Sequence, residues 1–503
     1  MRLTKFGFLM TLIASPLCME AKNLDVKRIE IDKERSVDFL SCDAIGKQGL
    51  ILTTKDDDNQ KNTQKGHNRL TFTKYDTLLN KVTSVDAEFS RKDNIDQITK
   101  GNDLYRLSME KNGEFELLFI DGEKMKPILS TGDIGKRIVI SYNQVMGDYV
   151  YMAGTQKGLP FVYALNAKTG AGKMTNLTVP SKKKFSIMSF ETDDNQNEAH
   201  LFIKEKQDKG YVLKLYVFAD GDLKNEMTMA PDAEDKYPAT AFASKMSDGS
   251  YIISGTYSDK DTKGTVRSIG VFLKKVENGK TSYSTYINYL DLKNFTSYMT
   301  ERRQKKIEKK KARKEEKGDE YTINYNMLPY KIIEENGKYL LVGEAYYPTY
   351  ITVPVTQVKT NAQGGTYTTT TYKREFDGYF YTHYFVMEFD KNGKMGWSNS
   401  APLEVLKSWV PRRHLSINKK AQALEVFYPS FGHMNHVSYS YSGEELLKEE
   451  VTYVEDDVKL KRYSGLDTEY WYDNTFLSSG QLKIKDDDGK HRIFSINKIK
   501  CDR

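Results

Sequence analysis

The stretch Gly147–Gly170, GDYVYMAGTQKGLPFVYALNAKTG, reads as two short strands around a turn. Tyr149 and Tyr151 alternate with the aliphatic Val150 and Met152 up to Ala153, a glycine follows at Gly154, and a second apolar run, Phe161–Leu165, comes after a polar turn. Alternation over a few residues, broken by turn formers, marks a half-buried hairpin. The arrangement recurs in GSYIISGTYSDKDTKGTVRSIGVFLKKVENG (Gly249–Gly279), GKYLLVGEAYYPTY (Gly337–Tyr350) and NTFLSSGQLKIKDDDGKHRIFSINKI (Asn474–Ile499), with glycines at Gly255, Gly343 and Gly480. In the third copy the second strand is delayed to Tyr384–Trp397, and weaker copies begin at Gly49, Asp103, Ala199 and Ala423.

These units centre near Leu52, Leu107, Met152, Ile203, Ile253, Val342, Val426 and Ser479. Most steps are about 50 residues, and an all-β period of that size signals propeller blades rather than a two-sheet sandwich. One blade cannot bury both of its faces alone, so blades stack in a ring. The expected fold is therefore all-β: a single β-propeller over residues 22–503 with about seven or eight four-stranded blades. A strand from the N-terminus completing the last blade would close the ring. Cys42, in RSVDFLSCDAI, and Cys501, in FSINKIKCDR, would then be neighbours. A disulfide between them is the expectation, with two unrelated buried thiols as the alternative.

The N-terminus, MRLTKFGFLMTLIASPLCMEAKN, carries Arg2 and Lys5 before an apolar run from Phe6 to Leu17. That run is too short to span a bilayer and reads as a signal peptide over residues 1–21. Cys18 lacks the small preceding residue of a lipobox, since Leu17 stands there. Export to the periplasm or cell surface follows as an expectation.

The formal net charge is +7. The run Arg302–Lys317 holds Arg302, Arg303, Lys305, Lys306, Lys309, Lys310, Lys311, Arg313, Lys314 and Lys317 against Glu308, Glu315 and Glu316, which is itself +7. The rest of the chain sums to zero, so composition implies no general polyanion-binding surface. Residues 299–320 read as a charged insertion, helical or disordered. Only Ile307 and Ala312 are apolar within it, which predicts a helix with no face to bury. It is either a solvated spacer or a contact for an anionic surface such as lipopolysaccharide, nucleic acid or an acidic partner. A second insertion, residues 350–377, alternates Val and Thr on both sides of NAQGG and reads as a β-hairpin arm, either with an edge open to strand addition or folded back over its own blade.

No nucleophile elbow, His-Glu-x-x-His or phosphate loop is present. The acid clusters KDDDNQ, TDDNQN and KDDDGK lack the calcium-loop spacing and fall where turns belong. His433 and His436 are three apart; on a strand they face opposite sides and cannot share a metal, whereas in a loop they could. WVPRRHL places Arg412, Arg413 and His414 beside Trp409, a candidate anion or sugar contact against a reading as packing. No catalytic, cofactor-binding or metal-binding residue emerges, and no cofactor is expected.

The exported, cysteine-poor chain, with FDKNGKMGW and LKIKDDDGKHRIFSINKI, resembles the uncharacterised β-propeller-like envelope proteins of Bacteroidota. The tripeptide Asp76-Thr77-Leu78 resembles that phylum's O-glycosylation signal. The resemblance implies a non-enzymatic binding or scaffold propeller of the cell envelope that recognises a protein or polysaccharide, with no specific nucleic acid and no membrane span. The alternative is a propeller enzyme acting on glycans, its carboxylates on inter-blade loops without a local motif.

Overall fold

The computed structural model describes residues 24–501, apart from 35, 61–62, 92–94, 180–184, 208–209, 230–235, 261–266, 278, 331, 361–363, 431, 455–457 and 487–488. The expected signal peptide, and Cys18 with it, lies outside the described residues. Eight sheets form in chain order, six of them four-stranded. Blade 1 covers residues 37–90, blade 2 95–133, blade 3 138–176, blade 4 185–229, blade 5 237–288, blade 6 325–408 together with the short strand Arg267–Ser268 at its edge, and blade 7 416–452. Blade 8 takes three strands from 459–501 and its fourth from the N-terminal strand Leu24–Asp32. That strand runs antiparallel to Gly489–Cys501, with Leu24 opposite Cys501 and Asp32 opposite Ile493. The ring closes as expected.

Each blade starts at one sheet edge and ends at the other, and several consecutive blades touch through their first strands, which places those strands around the axis. The core is divided among the junctions. Eight apolar clusters occur, one between each pair of adjacent blades, including the pair that closes the ring. Phe427 of blade 7 stacks on Phe476 of blade 8 at 3.8 Å, and Phe39 of blade 1 stacks on Phe494 of blade 8 at 4.7 Å. A blade is therefore apolar on both faces, which accounts for the nearly continuous burial of segments such as Tyr251–Ser258.

The repeated glycine has a steric cause. Opposite Gly154 the first strand of blade 3 bulges between Ile140 and Tyr142, and a Cβ at Gly154 would stand 2.1 Å from the Val139 carbonyl oxygen. Gly480 lies opposite the bulge between Ser464 and Asp467, where a Cβ would meet Leu466 at 2.5 Å. Such close approach at a bulge is what glycine permits. Because backbone blocks the added methyl, Gly154→Ala should lower stability by about 2 kcal/mol, read as a shift in the denaturant midpoint.

Two expectations need correction. Cys42 and Cys501 are not bridged. The closing strand is Leu24–Asp32, while Cys42 belongs to the next strand, Val37–Ala44, on the axial side of blade 1; Cys501 ends the third strand of blade 8. The charged insertion does have a face to bury. It forms the helix α1, Glu301–Glu315, whose Ile307 is 9% exposed and joins Leu292, Phe295 and Met299 in the core between blades 5 and 6. Lys311 also donates to the Leu290 carbonyl at 3.1 Å and pairs with Asp291 at 2.7 Å.

The arm forms as read from the sequence. The strands Lys338–Thr360 and Thr366–Asp390 pair along their length, from Lys338 opposite Asp390 to Thr360 opposite Thr366. Their neighbours within the sheet reach only Tyr346 on one side and Tyr379 on the other. Beyond that level the arm is a two-stranded ribbon whose edges are open among the described residues.

Candidate anion-binding cleft

The helical insertion and the base of the arm meet on blade 6, around a cleft of about 1190 Å³. Ile307 fixes the rotation of α1. With that side chain in the core, residues at neighbouring helical spacings, Arg303, Lys306 and Lys310, line the cleft from one side. Arg302 and Thr300 line it at the helix N-terminus, where the exposed amides add partial positive charge, and Arg267 completes the basic lining. Blade 6 supplies the facing wall through Tyr325, Asn326, Tyr346, Tyr347, Phe380 and Thr382.

Three features set the electrostatics. No carboxylate lines the cleft among the described residues. None of the five basic residues, Arg267, Arg302, Arg303, Lys306 and Lys310, forms an ion pair among those residues, whereas Lys305, Lys311 and Lys314 on the same helix pair with Glu301, Asp291 and Asp319. The tyrosines are held neutral: burial raises the Tyr298 and Tyr325 hydroxyls, which lie 3.0 Å apart, and pushes Tyr346 up to about 12. Behind Tyr298, His383 stacks at 4.4 Å, and burial lowers it to about 3, so it is uncharged at neutral pH. The cleft is a positive site walled by hydroxyl donors.

The basic block is thus divided by the fold. Arg302, Arg303, Lys306 and Lys310 face the cleft, while Lys305, Lys309, Lys311, Arg313 and Lys314 do not. The second candidate group is dispersed. Trp409 is 68% exposed and meets Phe376 edge-on at the arm base. Arg412 pairs with Asp467 at 3.3 Å. His414 is buried and lowered to about 3. Arg413 lies between the Tyr330 and Phe242 rings and donates to Glu191 of blade 4 at 3.1 Å, tying distant blades together across the axis. These four residues form no single contact site.

A second polar centre escaped the sequence reading. Asp43 on blade 1 and Asp467 and Glu469 on blade 8 gather on first strands around the axis. Burial raises Asp43 to about 6 and Glu469 well above its ordinary value, and Asp467 is raised too although its side chain is 52% exposed. Glu469 accepts from the Ala44 amide at 2.7 Å, and Trp471 Nε1 donates to the Gly46 and Gly49 carbonyls at 2.8 Å. All three bonds join blade 8 to blade 1. Among the described residues, no group of three or more His, Cys, Asp or Glu side chains is placed to hold a metal ion. His433 and His436 turn to different partners, Glu450 and Glu425.

No protein-family model and no curated protein matches the chain. Solved structures do. The β-propeller domain of Nup133 from Vanderwaltozyma polyspora is 10% identical with a TM-score of 0.40, over 96% of this chain and 99% of that one. The β-propeller domain of the trilobed protease from Pyrococcus furiosus is 9% identical with a TM-score of 0.33, over 79% and 96%. The WD40 domain of SCAP from fission yeast is 10% identical with a TM-score of 0.34, over 84% and 99%. These likenesses bear on no function; the chain's own eight sheets and their closure establish it as a β-propeller.

Proposed function

We propose that this chain is a non-enzymatic binding propeller of the bacterial cell envelope, exported to the periplasm or cell surface, in the manner of the Bacteroidota proteins it resembles. Its protein or polysaccharide partner docks on the face of blade 6 that carries α1 and the arm. One observation carries this reading: five unpaired basic side chains converge on a cleft without a carboxylate among the described residues, at the foot of an arm that leaves the ring. A spacer would scatter those charges into solvent.

Deletion of residues 302–317 tests it. Binding to lipopolysaccharide at low salt should fall sharply on deletion, and binding by the intact protein should weaken as salt rises. Because Ile307 leaves the core with the helix, the deletion should also cost about 2 kcal/mol of stability. Equal binding by the intact and deleted proteins, or binding by neither, would remove the cleft from the function.

A second reading keeps the alternative of a glycan-acting enzyme, because Asp43, Asp467 and Glu469 are raised acids close together at the axis. The bond from the Ala44 amide to Glu469 crosses the blade 8–blade 1 junction, Gln97 of blade 2 donates to Asp43, and Arg412 pairs with Asp467, contacts that favour a structural role in closing the ring. Asp43→Asn with Glu469→Gln discriminates: glycan cleavage by the intact protein that vanishes in the variant supports the enzyme, and a lower melting temperature without any cleavage supports the latch.

A further inference from the structure

We propose that the cleft between α1 and blade 6 is a discrete site for an acidic saccharide, one whose carboxylate or phosphate is held by Arg303, Lys306 and Lys310 while a sugar ring lies on Tyr347. The proposal rests on the reading of this face as the partner-binding face, and it adds the ligand class and the geometry that selects it.

The charge argument comes first. Arg303, Lys306 and Lys310 line one open cleft, unpaired among the described residues, and Arg303 lies in the first turn of the fifteen-residue helix Glu301–Glu315. Converging cations and oriented amides bind a localised anion far better than the same charges spread over a surface. Thr300 caps α1 by position, yet its side chain makes no capping bond.

The walls decide between ligand classes. Single-stranded nucleic acid needs successive open aromatic faces on which bases stack. Here Tyr325 and Tyr346 are 9% and 4% exposed, and one face of Tyr298 is covered by the stacked His383 ring. Among the described residues that line the cleft, Tyr347, 47% exposed and backed by Phe380 at 5.6 Å, is the one large hydrophobic ring left exposed. One platform, neutral tyrosine hydroxyls and the polar side chains of Asn326 and Thr382 suit a hydroxyl-rich ring with an acidic substituent. The cavity, about 1190 Å³, exceeds the range of drug-sized pockets and fits an oligosaccharide.

The helix supplies its own control. Lys305, Lys309 and Arg313 carry the same total charge as Arg303, Lys306 and Lys310 but lie outside the cleft. Two triple variants of the full chain, Arg303→Gln/Lys306→Gln/Lys310→Gln and Lys305→Gln/Lys309→Gln/Arg313→Gln, remove equal charge and keep good helix formers. Binding is measured by calorimetry to tetragalacturonate, a phosphorylated mannotetraose, neutral maltotetraose and short single-stranded DNA. The expected result is binding of at least one acidic tetrasaccharide, weakened about tenfold or more by the inward variant and less than about threefold by the outward one. Maltotetraose should not bind, and Tyr347→Ala should weaken the acidic saccharide by about fivefold. The galacturonate and phosphate arms show which acid is preferred. Equal loss in both triple variants overturns the cleft site while leaving general anion binding intact. Tighter binding of DNA than of either acidic saccharide, or no acidic saccharide binding at all, overturns the ligand class. Should the inward variant melt early, Tyr347→Ala and the single change Lys306→Gln carry the same expectation on a folded ring.

Discussion

A chain lacking Leu24–Asp32 should fail to hold its ring. The deleted strand contributes nine residues of antiparallel ladder and the partly buried Leu24, Val26, Ile29 and Ile31. At about 1 kcal/mol per hydrogen bond and a similar amount per half-buried side chain, less the entropy of ordering the strand, the loss is on the order of 5 kcal/mol. That equals the whole stability of a marginal domain. The exposed edge, Gly489–Cys501, carries Ile493, Phe494, Ile496 and Ile499, all buried in the closed ring, so the truncated protein should also aggregate. Denaturant unfolding and sedimentation read both effects, and a peptide LDVKRIEID added in trans should restore part of the lost stability by strand addition. A truncated chain that melts within a few degrees of the parent, and stays monomeric, would show that the ring does not depend on this strand.

The second large effect concerns Glu344. This carboxyl is fully buried on blade 6, accepts from the His414 and Leu415 amides at 2.8 and 2.9 Å and from the Tyr330 hydroxyl, and burial pushes it up to about 7 from an ordinary 4.5. Its folded value lies above its unfolded one, so between those values the native state binds the extra proton. Its contribution is present in full below about pH 4.5 and is lost as pH rises through 7. At 1.4 kcal/mol per unit the total is about 3 kcal/mol. His383 and His414, both lowered to about 3, act in the opposite sense: their stability is present above the ordinary histidine value of 6.5 and is lost as pH falls toward 3. The clean readout is therefore a difference between two proteins. Glu344→Gln resembles the neutral acid at all pH values, so relative to the parent it should gain about 3 kcal/mol between pH 5 and pH 8. Parallel pH profiles for the two proteins would show that Glu344 is ionised throughout.

What the sequence revealed follows from what local pattern encodes. The eight centres read from alternation all fall in the second strands of the blades, such as Leu50–Asp56 and Tyr149–Gln156, which are buried on both faces. First strands such as Ile138–Met146 are bulged and half polar because they face the axis, so their alternation is broken. Both insertions were visible as departures from the period. Their closeness followed from their places in neighbouring units, but the cleft itself did not, because it joins residues of α1 to Tyr346, Tyr347 and Phe380, separated in sequence and related only by folding. Ile307 was misjudged because a single apolar residue makes no stripe, yet one well-packed side chain is enough to dock the helix. The cysteine pairing failed by one strand: closure was expected near Cys42, and the preceding segment supplies it. The Arg413–Glu191 contact spans 222 positions, beyond any local signal.

The pairing of Leu24 with Cys501 also fixes how the molecule bears mechanical load. Both ends of the described chain leave from the same end of one antiparallel ladder. A pull that separates them acts on the Leu24–Cys501 rung first and then on each following rung in turn, peeling the closure as a zipper rather than shearing all its hydrogen bonds at once. A ring tethered by one end and dragged by the other would open at blade 8 under low force. The same ring gripped on blade 6, at the cleft and arm, would pass the load through packed inter-blade cores and spare its seam.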